Sequence, residues 1–66
     1  MCLSNVYVGE KKQDKLMVEE AEWVSADGEK VQVRTLFGEG KNLEGYYISE
    51  VNLTENYIIL RKSGGA

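Results

Sequence analysis

The chain contains no histidine, no proline and a single cysteine. Without histidine, neither a serine or cysteine triad nor an imidazole proton shuttle can be assembled within the chain, which removes most hydrolase mechanisms. A lone cysteine forms no internal disulfide, so the thiol is buried, reactive, metal-bound or paired with another chain, and it points to a reducing cytoplasm. No apolar run approaches the ~18 residues that a spanning helix requires. The first residues, Met1-Cys2-Leu3-Ser4-Asn5, show no basic region followed by an apolar stretch, so export and membrane spanning are both unsupported. Basic charge is scarce as well: eight Lys and Arg stand against eleven Asp and Glu, a net charge of −3, the reverse of the balance that a phosphate-neutralising surface needs.

What is present describes one small folded domain. Sixty-six residues allow a single marginal core and no deep substrate cavity, so function belongs on the surface or between chains. A hydrophobic content of 42% with only modest net charge separates the chain from disordered sequences. Residues 1–62 form the expected domain, and Ser63-Gly64-Gly65-Ala66 reads as a flexible tail with nothing to bury.

Seven glycines punctuate segments rich in Val, Ile, Tyr and Thr, the composition of short strands joined by turns. Residues 2–8, 16–25, 29–37, 43–53 and 57–61 read as extended. A three-residue loop, Ala26-Asp27-Gly28, with Gly28 in the left-handed region, is the expected hairpin between the second and third. That register sets Trp23 opposite Val31, Ala21 opposite Val33 and Glu20 opposite Arg34. In the second strand Leu16 and Val18 lie in one phase and Ala21 and Trp23 in the other, which requires a bulge near Glu19-Glu20. Ile48 and Val51 likewise differ in parity and require a kink, and Gly45 allows the backbone to bend. Bent strands of this kind suit an all-β sheet of five strands or slightly more, barrel-like or SH3-like. Its expected core is Val6, Val8, Leu16, Val18, Trp23, Val31, Val33, Phe37, Ile48, Val51, Leu53, Ile58 and Leu60.

Few residues offer chemistry. Glu19, Glu20, Glu22 and Glu39 are best explained as solvated strand and loop charges. Gly38-Glu39-Gly40-Lys41 lacks the spacing of a phosphate-binding loop and reads as a turn. Tyr46 and Tyr47, with Lys30, Arg34 and Lys41, could stack single-stranded RNA; the same tyrosines also serve as amphipathic core edges or dimer contacts.

Cys2 admits two readings. It is in phase with Ser4, Val6 and Val8 and could be a small buried hydrophobe. Alternatively, with Met1 retained, the terminal amine, the deprotonated Cys2 amide and the Cys2 thiolate close two fused five-membered chelate rings, a planar N,N,S donor set. Without Met1, amine and thiolate of Cys2 form one ring, and two chains complete four-coordination. Either arrangement suits square-planar Ni(II) or Cu(II), and nickel better in a reducing cytoplasm; a closed zinc site would need more Cys or His.

The Met1-Cys2 start, Thr35-Leu36-Phe37, the run Leu43-Glu44-Gly45-Tyr46-Tyr47-Ile48-Ser49-Glu50-Val51-Asn52-Leu53 and the later Ile58-Ile59-Leu60 resemble the CooT family over nearly the whole chain. The resemblance implies a small β-barrel-like homodimer. It also implies a nickel-binding accessory protein in maturation of nickel-dependent carbon monoxide dehydrogenase, with Cys2 as metal ligand. The combined expectation is a non-enzymatic, cytoplasmic homodimer that binds Ni(II) through Cys2, with Met1, near its two-fold axis, where one cysteine per chain becomes two. Its partners are the dehydrogenase or its maturation factors, and a small RNA-binding β-barrel is the competing class.

Overall fold

The computed structural model describes residues 3–64. Six strands follow one another as β1 (Ser4–Val8), β2 (Leu16–Asp27), β3 (Lys30–Thr35), β4 (Gly40–Glu44), β5 (Tyr46–Asn52) and β6 (Tyr57–Lys62), with one 3-10 turn at Gln13–Lys15 ahead of β2. All six form one sheet in the order β4-β3-β2-β1-β6-β5. Every pairing is antiparallel except that of the first and last strands, β1 and β6, which run parallel in the middle. The expected all-β, barrel-like class is therefore present, with six strands because the segment 43–53 divides at Gly45.

That division dictates the shape. β4 and β5 are the two edges of the sheet, yet a single residue joins them. Laid flat, six strands about 4.8 Å apart would hold their edges about 24 Å from each other, well beyond the reach of one residue. The sheet is therefore curled into a half-barrel whose edges meet at the Gly45 corner. Gly45 sits at φ 84, a conformation that glycine adopts without steric cost. The Glu29 carbonyl accepts from Gly45 N–H at 2.7 Å and Tyr46 N–H at 3.2 Å, while Ser63 N–H donates to the Gly45 carbonyl at 2.8 Å.

The β2–β3 hairpin differs from the expected register. Asp27 pairs with Lys30, Ala26 with Val31, Val24 with Val33 and Trp23 with Arg34, so the loop is the two-residue Gly28-Glu29. Gly28 has φ 63 and Glu29 has no positive φ, the signs of a II′ turn, whose twist matches that of the strands it joins. The anticipated bulge at Glu19-Glu20 is present: Ser4 pairs with Ala21 and Val6 with Val18, leaving one extra residue on β2. Glu20 takes φ 55, its N–H donates to Asn5 Oδ1 at 3.2 Å and its carbonyl accepts from Leu36 N–H at 3.1 Å. Two further bulges in β2 fall at Met17, between the Val6–Val18 and Tyr7–Leu16 pairs, and at Glu22-Trp23, opposite Arg34, and the anticipated kink in β5 falls between Ile48 and Glu50.

The core on the concave side is Val6, Val18, Ala21, Val31, Val33, Ile58 and Leu60, with Met17, Val24, Leu43, Tyr46 and Ile48 packed around it. Four of the expected core residues are instead exposed. Phe37 is 76% exposed because β3 ends at Thr35, whose carbonyl and hydroxyl accept from Gly38 and Glu39 N–H and turn the chain. Leu53 is 80% exposed in the turn after β5, and Val51 lies at the open mouth of the half-barrel. Trp23 is turned outward by its bulge. Val8 and Leu16 are half-buried. Tyr7 and Ile59, register partners on the opposite face, are buried instead; the unbroken run Ile58-Ile59-Leu60 is the signature of a central strand covered on both sides. The loop before β2 contributes to that cover: the Lys11 ammonium lies 4.7 Å from the Tyr57 ring centroid and bonds Glu55 at 2.9 Å, and Tyr57 stacks edge-on against Tyr7.

Stability of the whole domain is expected at about 3–10 kcal/mol from its length. Leu60, fully buried, should lose about 2–5 kcal/mol on truncation to Ala, enough to leave much of the protein unfolded at 25 °C by urea titration. Gly45→Ala should cost about 1–2 kcal/mol through backbone strain alone, since no atom lies within 4 Å of the added Cβ. Gly40→Ala, with no positive φ and only the Val33 carbonyl at 3.9 Å, should shift the urea midpoint little; equal losses at both glycines would contradict the corner argument.

The hydrogen bonds of Lys11 and Tyr57 should also be visible in pH. Its hydrogen bond to Glu55 raises the Lys11 pKa above 10.5, and the bond that Tyr57 donates to Glu50 at 2.7 Å raises the Tyr57 pKa above 10.0. Both groups hold their protons more tightly when folded, so their stabilisation is complete below the unfolded pKa and fades as pH rises through the folded one. Tyr57→Phe should flatten the loss of thermal stability seen above pH 10; an unchanged alkaline profile would count against it.

Candidate functional site

Met1 and Cys2, the expected metal ligands, lie outside the described residues. Among the described residues no group of three or more Asp, Glu, Cys or His could hold a metal ion. The chain has no second cysteine and no histidine, so Cys2 is its one thiolate donor. Soft-metal chemistry, if the chain performs any, rests on that residue.

β1 begins at Ser4, beside a cleft at the open mouth of the half-barrel. Ala21, Glu22, Trp23 and Val24 of β2, Ile48 and Val51 of β5, Ile58 of β6 and Ser4 itself line this cleft of about 310 Å³. One wall is organised by the Glu22-Trp23 bulge. Because two β2 residues oppose the single Arg34, the guanidinium meets both: Nε donates to Glu22 Oε2 at 3.3 Å and the guanidinium carbon sits 4.8 Å from the Trp23 ring centroid. The pair is largely exposed, so it adds little stability; it holds the indole at the rim. Trp23 at 42% and Val51 at 50% exposure leave a solvent-facing apolar rim, with a carboxylate beside the start of the first strand. The sequence offered no local signal for this, because a bulge at Glu19-Glu20 by itself puts Trp23 in phase with the buried Ala21.

The residues proposed to stack RNA are dispersed. Tyr46 and Tyr47 are consecutive in β5 and point to opposite faces, Tyr46 packing on the core and Tyr47 standing 42% exposed. Arg34 is committed to Trp23 and Glu22, Lys41 rests 3.9 Å from Met17 Sδ, and Lys30 borders a separate hollow with Glu29 and Glu44. No common platform results. The turn spans residues 36–39, and Gly40 and Lys41, expected within it, instead open β4 opposite Arg34 and Val33.

No helix among the described residues is long and apolar enough to cross a membrane. A search of curated proteins finds no match. In structure, the fold is similar to a crystal structure of a candidate CooT from Carboxydothermus hydrogenoformans, with a TM-score of 0.78 over 94% of this chain and 98% of that one, at 18% sequence identity. The likeness covers the curled sheet from end to end and supports the architecture. In sequence, residues 1–61 match the family model described as the CO dehydrogenase accessory protein CooT. That match spans the Met1-Cys2 start, the Gly45 corner and the Ile58-Ile59-Leu60 strand, and the chain belongs to the CooT family of CO dehydrogenase accessory proteins.

Proposed function

We propose that the protein binds Ni(II) through the Cys2 thiolate, with the amine and amide of Met1-Cys2 as nitrogen donors, at a site shared by two copies, and that it holds or delivers nickel for carbon monoxide dehydrogenase without catalysing a reaction. The observation that carries this reading is the family match across residues 1–61, which includes the chain's single cysteine. The chemistry agrees. Thiolate and amide nitrogen are strong-field donors that favour square-planar nickel, and a chelate of five-membered rings loses little entropy on closing because adjacent residues supply it. Nickel is cargo in this account, and the dehydrogenase or its maturation factors receive it. A reducing compartment such as the cytoplasm would keep the thiol available.

A two-fold dimer supplies the second thiolate. The mouth cleft favours this arrangement: the exposed Trp23 and Val51 border Ser4, so a contact between copies that covered the rim would draw the starts of two first strands together. Burial of aromatic and aliphatic rim residues is the usual source of energy in such contacts.

Nickel titration of the native protein should produce a sulfur-to-nickel charge-transfer band, and Cys2→Ser should abolish it and weaken binding severely. Unchanged stoichiometry, affinity and absorption in the substituted protein would remove Cys2 from the site. Because the thiol must lose its proton to coordinate, apparent affinity should fall as pH drops, and an isotherm independent of pH would speak against thiolate ligation.

The shared site predicts a dimer in sedimentation equilibrium that dissociates on Val51→Glu. Monomer mass at all concentrations, with and without nickel, would leave only a single-chain chelate.

A further inference from the structure

Three of the eight Lys and Arg side chains form ion pairs with carboxylates: Lys11 with Glu55, Lys12 with Glu10 and Arg34 with Glu22. The other five have no carboxylate within 4 Å among the described residues, and three of those five residues, Lys15, Arg61 and Lys62, border one open cleft at the end of the sheet, which Arg61 and Lys62 reach from opposite faces of β6. Its remaining lining is Val8 and Gly9 at the end of β1, Glu10 and the exposed ring of Tyr47. The topology explains this placement. Tyr47 pairs with Arg61 across β5 and β6, and the parallel pairing of β1 with β6 brings Val8 beside Leu60, so the turn that leads from Gly9 to Lys15 closes the other side. Gly9 N–H donates to the Leu60 carbonyl at 2.8 Å and pins that turn. Arg61 is also set in place: its Nε donates to Ser49 Oγ at 3.1 Å, leaving the two terminal nitrogens without a protein partner among the described residues. Glu10, the one acid in the cleft, is engaged with Lys12.

We infer that this cleft is a docking surface for an acidic, extended segment of a partner protein, read by Lys15, Arg61 and Lys62 with Tyr47 as an apolar platform. The oriented guanidinium offers two free donors of the kind that grip a carboxylate, and the two lysines flank it as flexible charges. A cleft open to solvent cannot enclose a small molecule, whereas an extended chain presents side chains alternately and lays successive carboxylates against separate cations. A long polyanion is a poor occupant. Ten of the eleven acidic side chains lie outside the cleft against five of the eight basic ones, so a nucleic-acid strand leaving it would meet repulsion rather than a basic track. The surface lies at the Val8 end of β1, roughly 13 Å of strand from Ser4, so a partner docked here leaves the mouth of the half-barrel open.

The test uses fluorescence anisotropy of the full chain with a labelled peptide of about ten Glu and Asp residues around a central Leu. A second peptide carries Gln and Asn in place of the acids, and a third probe is oligouridylate of similar length. The acidic peptide should bind at low salt and weaken several-fold on raising the ionic strength to ~0.15 M, while the amide peptide should not bind. The double variant Arg61→Glu with Lys62→Glu should weaken binding at least ~10-fold, since each lost contact accounts for up to ~5-fold and reversal adds repulsion. Lys15→Glu, in the connecting turn and outside every sheet pairing, should weaken it by a smaller factor even if the double variant fails to fold. Lys30→Glu, at the distant start of β3, carries the same change in net charge as Lys15→Glu and should leave binding within ~2-fold. The inference is overturned by an equal loss with Lys30→Glu, by equal binding of the amide peptide, by tighter binding of oligouridylate, or by no binding of the acidic peptide at low salt. Nickel titration and sedimentation of the same variants separate this surface from the metal site, because both should be unchanged.

Discussion

A single residue joins the two edges of the sheet, and the rest of the architecture depends on that connection. Gly45 takes the chain from β4 to β5, from the last strand on one side to the last on the other. The sheet has to curl for this to be possible, and the curl creates the concave side on which Val6, Val31, Val33 and Leu60 are fully buried. A flat six-stranded sheet of this composition would expose one face of every strand and could not bury a core without a second layer. The corner is held by backbone groups alone, the Glu29 carbonyl and the Ser63 N–H, so it does not depend on which side chains flank it.

Curling a short sheet leaves an open mouth, and both candidate surfaces lie where the half-barrel is incomplete. At the Ser4 end, bulges in β2 turn Trp23 outward and place Glu22 and Arg34 together beside the start of β1. At the Val8 end, the parallel β1–β6 pairing gathers cations that are far apart in the chain. A domain too small to enclose a cavity works through its rims and ends. This agrees with membership of a family of CO dehydrogenase accessory proteins.

Much of the fold was legible where a local rule had one answer. Glu19-Glu20 had to absorb an extra residue because Leu16 and Val18 are out of phase with Ala21, and Glu20 does so at φ 55. The hairpin at Gly28 was legible in place but not in register. Phase-matching Trp23 with Val31 assumed that the indole was buried, and the bulge at Glu22-Trp23, which no local pattern announces, removed that assumption. Phe37, Val51 and Leu53 were misplaced for a related reason: hydrophobicity identifies residues that gain by burial, but only the number and curvature of strands decides how many can be buried. Tyr7 and Ile59 were the converse, buried because β1 and β6 turned out to be central.

By itself the sequence determined the all-β class, the place of the turn at Gly28, the bulge at Glu19-Glu20, the kink after Ile48 and the absence of histidine-based or internal disulfide chemistry. It also supplied the one thiolate on which a metal role can rest, because these properties belong to single residues or near neighbours. The tertiary structure decided which strands are edges, that Tyr46 and Tyr47 serve opposite faces, and that Lys15, Arg61 and Lys62 share a cleft with Tyr47. Those outcomes depend on contacts between segments more than ten residues apart, and the alternation of side chains along a strand carries no information about which distant strand lies beside it.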